Sequence, residues 1–323
     1  MPRQPKPAPF DGALVINKPQ GKTSHDVVDA VRRLAGFRQI GHLGTLDPLA
    51  TGVLVLLLGK ATRLVRFYTG RRKRYTTGFR FGYSTNTYDS EGTAQGPDAA
   101  PILDRSVIER LAAESLGSFE QMPPIFSAKK VQGRPAYELA RENQAVELKP
   151  VAVELFEYRL TEIEGSIARF SIECSSGTYV RSLAHDMGQK LGWGAHLAEI
   201  TRTAVGEFSL EQAIRIEELA EDARAGKFQR RLIPLENLLP NYPSAHVLPV
   251  LEKRVRHGAK FNVMPSQLHP GRVELPPGAT TELDTTTTAP RLRVLSQQHK
   301  LIAIAEAVVP RTYQPVVVFD PLP

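Results

Sequence analysis

Cysteine is almost absent from this 323-residue chain: Cys174 stands alone, so no disulfide can form within it, and no pair of His or Cys residues has zinc-site spacing. Long apolar runs are missing as well. The longest, Val53 to Leu58, falls far short of the roughly 20 residues that cross a bilayer. The first ten residues interleave prolines with Arg3 and Lys6 and lack the apolar centre of a signal peptide. A cytoplasmic protein without a structural metal is expected. Acidic residues are scarce early on: residues 1 to 80 carry 15 Lys+Arg against 4 Asp+Glu, a balance of +11, and since the chain totals +7 the other 243 residues sum to −4.

A basic field so concentrated suits a polyanion, whose phosphates shed counterions to Lys and Arg; ordinary solubilising charge is the alternative. The length suggests two domains, and 41% hydrophobic content can bury a proper core. A short strand is predicted over Ala13 to Asn17. Thr23 and Asp26 then make a capping-box-like start to a helix whose Val27, Val28, Val31, Leu34 and Ala35 share one face, with Gly36 ending it. Val53 to Leu58 reads as a buried strand, Lys60 to Tyr68 as a short basic helix, and the alternation Tyr75, Thr77, Phe79, Phe81 as another strand. Residues 84 to 103 read as a loop. A helix capped by Asp104 through Ser115, strands at Val151 to Leu160 and Ile167 to Cys174, and a helix from Val180 to Leu191 closed by Gly192 follow. Acidic, helix-like sequence from Leu210 to Ala225 leads into Pro234, Pro240, Pro243 and Pro249, read as a linker. Beyond about 245, β-like runs at Arg291 to Leu295, Lys300 to Ala307 and Val316 to Phe319 suggest a small barrel, interrupted by a threonine-rich loop over Thr280 to Pro290.

The stretch Gly41-His42-Leu43-Gly44-Thr45-Leu46-Asp47-Pro48-Leu49-Ala50-Thr51-Gly52 holds the only acid between Asp29 and Asp89. Its three glycines can take positive φ and let backbone approach a ligand. Taken locally, Asp before Pro also reads as the start of a helical turn. Gly21-Lys22-Thr23 is no phosphate loop, because the first glycine of that motif would fall at Ile16. Tyr75 directly follows Arg71-Arg72-Lys73-Arg74, and is either the first core residue of its strand or an aromatic platform for a base.

The string GHLGTLDPLATGVL resembles the catalytic motif of the bacterial tRNA pseudouridine synthase B family, with Leu43 where Thr is usual. Four further stretches are similar to the same family: Lys18-Pro19-Gln20-Gly21 with Ser24, Gln121 to Lys130, Cys174 to Arg181, and Gly194 to Thr203. The resemblance covers about residues 10 to 238. It implies conversion of the T-loop uridine of tRNA, position 55, to its C-glycoside isomer, without a cofactor. In that reading Asp47 is the ionised carboxylate, adding to the base or acting at the sugar, and Arg181 is its charge partner. A guanidinium stays charged and favours the ionised form of a neighbouring carboxylate. The resemblance further implies that Tyr75 stacks on the base, that Tyr179 and Ile200 wall the pocket, and that His42 and Lys18 contact the substrate.

The expected fold is α+β: a pseudouridine-synthase catalytic fold, with a central mixed, largely antiparallel sheet flanked by helices, and a small β-barrel-like C-terminal domain of PUA type. The boundaries expected are a flexible tail over 1–9, a catalytic domain over 10–238 with an RNA-gripping insertion at 122–150, and the C-terminal domain over 245–323. The partner expected is the T-arm stem-loop of tRNA, met by a monomer that needs no other protein and no membrane. Two alternatives stand beside this: a synthase directed by a guide RNA, and a non-catalytic, tRNA-binding folding chaperone.

Overall fold

The computed structural model describes residues 9–127, 129–131, 134–135, 139, 142, 148–271 and 291–322. The tail, most of the insertion expected over 122–150 and the threonine-rich stretch lie outside the described residues. What is described is a mixed α+β fold built on two sheets.

The larger sheet uses strands β1 (Gly12–Lys18), β2 (Thr51–Leu58), β3 (Lys73–Phe81), β4 (Gly117–Gln121), β5 (Val151–Glu164), β6 (Ile167–Cys174) and β7 (Ala195–Val205). Starting from an edge pairing with Ile233–Pro234, they run β1, β2, β7, β3, β6, β5, β4. Every pairing along this path is antiparallel except β2 with β7, a short parallel contact of Thr51 and Gly52 against Thr201 and Arg202. Helices α1 (Ser24–Ala35), α2 (Arg105–Glu114) and α3 (Val180–Leu191) flank it. Thr23 and Asp26 close a reciprocal capping box on α1, and Gly36 ends it in the left-handed region.

The apolar run of β2 is explained by two cores. Leu54, Leu56 and Leu58 pack with Val27, Val28 and Val31 of α1. Val53, Val55 and Leu57 pack instead against Leu295, Leu301, Ile304 and Val317 of the second sheet and Phe319 just beyond it. A strand covered on both faces has no reason to alternate.

The second sheet contains β8 (Ser244–His246), β9 (Arg291–Leu295), β10 (Leu301–Val309) and β11 (Thr312–Val318), with two short edge pieces, around its own core. Here the proline cluster hides a helix, α4 (Pro249–Arg256), with Pro249 in its first turn, where a missing N–H costs nothing. The predicted helix over 210–225 is also divided. Ile214 exchanges backbone hydrogen bonds with β1, accepting from Asn17 at 2.9 Å and donating to Val15 at 3.1 Å. Only Ile216–Arg224 is left as α-helix. Strand β7 carried no alternation and was not predicted, because bulges at Leu197/Glu199 and Arg202/Ala204 interrupt its period.

Lys60, Arg63 and Arg66, read from the sequence as part of an anion-facing basic stretch, are spent on the seam between sheets. Arg63 donates to the Val318 carbonyl, Arg66 to the Val316 carbonyl at 2.8 Å, and Lys60 pairs with Asp11 and Asp320.

Candidate active site

Asp47 sits in the loop that enters β2 at its parallel junction with β7. The loop is tied down on both sides of the acid. Leu46 exchanges hydrogen bonds with Ser24, its N–H donating to Oγ at 2.8 Å and its carbonyl accepting at 3.1 Å. Gly21 N–H donates to the Pro48 carbonyl at 2.8 Å, and Leu43, Leu46 and Leu49 are buried. Of the loop's glycines, Gly44 and Gly52 do take positive φ, whereas Gly41 lies in the short strand Ile40–His42. At Gly52 (φ +96°) a Cβ would stand 2.2 Å from the Arg202 carbonyl oxygen, so only glycine lets the strands meet there.

Arg202 is the fastening that sequence reasoning missed. Its side chain is fully buried and donates to three carbonyls of this loop and strand: Val53 at 2.7 Å, Gly44 at 3.0 Å and Thr45 at 3.3 Å. No carboxylate pairs with it among the described residues. The guanidinium fork also hydrogen-bonds the Tyr75 side chain, and through the three carbonyls it grips the chain before and after Asp47.

With its backbone fixed, Asp47 turns a half-exposed carboxylate toward Arg181, Oδ2 to Nε at 3.0 Å. It does not cap the turn that follows. Arg181 lies in the first turn of α3 and is buried, not the surface residue its position off the apolar stripe suggests. Its Nη1 reaches Asp89 at 3.5 Å and the Thr87 carbonyl at 3.1 Å. Asp89, also buried, accepts from the Thr87 hydroxyl at 2.5 Å and from Glu91 N–H at 3.1 Å. One guanidinium thus stands between two carboxylates, of which only Asp47 is open to solvent. The N-cap of α3, Tyr179, is held from outside: Gln121 of β4 accepts from its N–H at 2.8 Å and donates to its carbonyl at 3.0 Å.

These pieces border a cleft of about 630 Å³ that brings together Asp47, Tyr75, Tyr179, Arg181 and Ile200, together with Lys73 and Asp89. Tyr75 is both a core residue and a wall of the cleft, and burial pushes its phenol up to about 12. Burial likewise raises Tyr179.

His42 and Lys18 do not border this cleft. His42 is half-buried, accepts from Gly44 N–H through Nδ1 at 3.3 Å, and is held below its ordinary pKa by burial and then by Arg202. Lys18, expected on the substrate, is fully buried. Its ammonium donates to the carbonyls of Lys22 at 2.6 Å, Pro19 at 2.9 Å and Pro48 at 3.2 Å, which makes it a clamp beneath the loop. Neither Arg202 nor Asp89 carried a sequence signal of its own, although Arg202 lies inside the matched stretch Gly194 to Thr203. No group of three or more His, Cys, Asp or Glu residues suited to a metal occurs among the described residues, and no described helix is long and apolar enough to cross a membrane.

A family model described as TruB family pseudouridylate synthase (N terminal domain) matches residues 32–180. One described as the tRNA pseudouridylate synthase B C-terminal domain matches residues 181–240. The tRNA pseudouridine synthase B of Solibacter usitatus is 43% identical over 309 residues, spanning 96% of this chain and 100% of that protein. The protein of that name from Pelotomaculum thermopropionicum is 40% identical over 305 residues, 92% of either chain. Among solved structures, one of a Cbf5-Nop10-Gar1 complex superposes with a TM-score of 0.69 at 22% identity, covering 98% of this chain and 91% of that one; at that identity the likeness is one of fold.

Proposed function

The chain belongs to the tRNA pseudouridine synthase B family, and we propose that it isomerises a uridine in the T-loop of tRNA, position 55, to pseudouridine in the cytoplasm. The observation that carries this is the 3.0 Å contact between Asp47 and Arg181 at the wall of a cleft. The reaction breaks the N-glycosidic bond, turns the uracil and rejoins it through carbon, so no atom is gained or lost overall. It needs one carboxylate free to reach the nucleotide. Asp47 fits that need because Arg181, itself braced by Asp89 and Thr87, leaves half of the Asp47 carboxylate uncovered.

The target must leave its stack, at a cost of roughly a few kcal/mol. Tyr75 offers a flat apolar face for the extruded base, with Ile200 and Tyr179 as the other walls, and such stacking offsets about 1–3 kcal/mol. We read the sheet over 244–318 as a PUA-type RNA-binding module, and the whole chain as acting alone.

The test is to incubate the purified chain with an unmodified T-arm stem-loop and map pseudouridine chemically. Wild type should convert one uridine without guide RNA or protein partner. Asp47→Asn should lose at least about a thousandfold in turnover while keeping most of its RNA affinity. Wild type that binds the stem-loop but forms no pseudouridine would leave a folding chaperone as the better reading, and wild-type turnover in Asp47→Asn would remove Asp47 from the chemistry.

A further inference from the structure

Two lysines beside the Asp47 loop use their donors differently. A lysine ammonium has three N–H groups, and Lys18 commits them to three carbonyl oxygens. Lys73 does not. It projects from β3 two residues before Tyr75, on the same face of the strand, and lines the cleft. Among the described residues it donates only to Ser176 Oγ, at 3.2 Å, and pairs with no carboxylate. Two donors are therefore idle on a largely buried ammonium whose pKa is pulled down to about 8, first by burial and then by Arg202. Such a group costs stability until an anionic oxygen completes it.

Resting on the proposed function, we propose that Lys73, with Ser176, binds a phosphate oxygen of the nucleotide whose base stacks on Tyr75. Two residues along a strand separate side chains by about 7 Å, roughly the span from a nucleobase to its own phosphate. A compact point charge suits a phosphate better than a neutral uracil carbonyl. The contact would hold the backbone of the extruded nucleotide while Tyr75 holds its ring, so the sugar is presented between two fixed points.

The experiment uses the full-length protein, T-arm stem-loops and two stem-loops in which a neutral methylphosphonate replaces the phosphate 5′ or 3′ of the target. Lys73→Gln should weaken binding about tenfold, keep or raise its melting midpoint and reduce the slope of log affinity against log salt by about 1. Lys73→Arg should recover most of the loss. One methylphosphonate should cost wild type a similar tenfold and cost Lys73→Gln almost nothing. Independent, additive losses would overturn the proposal. So would a defect confined to turnover with an unchanged salt slope, which assigns Lys73 to the uracil instead. The methylphosphonate arm needs no variant, so if Lys73→Gln folds poorly, wild-type indifference to both substitutions still overturns it. If wild type makes no pseudouridine, the proposed function fails while the binding comparison remains readable.

Discussion

Arg181 and Arg202, at the cleft, are 7% and 0% exposed, whereas Arg63 and Arg66, at the seam between the sheets, lie open to solvent. All four donate to backbone carbonyls. At the seam the apolar core shared by β2 and the second sheet does the joining, and the exposed arginines only border it. At the cleft buried leucines seat the Asp47 loop, but the carboxylate itself is aimed by a few buried polar contacts. A guanidinium with the same partners therefore differs in consequence with its burial.

The contrast is sharpest at Arg202. Arg202→Met should strand three carbonyls in a dry interior and lower stability by about 3 kcal/mol or more, read from the midpoint of denaturant unfolding. Turnover in the folded fraction should fall with it, because Asp47 loses its anchor. If that variant kept wild-type stability, the buried arginines would be no more important than those of the seam.

A smaller effect is expected from pH. Lys18 and Lys73 both have values near 8, against an ordinary 10.5, so both lose their charge between about pH 7 and 9. The groups facing Lys73 hold steady there: Cys174 is raised to about 11 and Tyr75 to about 12. RNA affinity should fall severalfold across this window. The part that Lys73→Arg abolishes belongs to Lys73 and the remainder to Lys18. The sign for stability is opposite. Between about 8 and 10.5 the unfolded chain binds more protons than the folded one, so these lysines make stability rise with pH.

The least effect should come from the seam. Arg63→Ala and Arg66→Ala should each cost under about 1 kcal/mol and leave turnover on the stem-loop unchanged. A large loss of activity would mean that the seam, too, positions the cleft.

Much of this molecule was legible in its residues. Strand Ile167–Cys174 and helix Val180–Leu191 fall where period and glycine stops put them, and the caps on α1 close as Thr23, Asp26 and Gly36 require. Less legible was β7, where bulges break the period, and the stretch 210–225, where pairing with β1 outcompetes helix. Among the candidate site residues, Asp47, Tyr75, Tyr179, Arg181 and Ile200 share one cleft, but Lys18, expected on the substrate, is buried beneath the loop.

The sequence alone determined the class of fold, the Asp47 loop and its family, since these rest on local pattern and on a long, specific string. Which lysine is a clamp and which is idle, which arginines are buried, and that Asp89 braces Arg181 were decided by tertiary structure. The reason is physical: charge and hydrogen-bonding capacity belong to a residue type, but whether they are already spent depends on neighbours brought from 30 to 150 positions away.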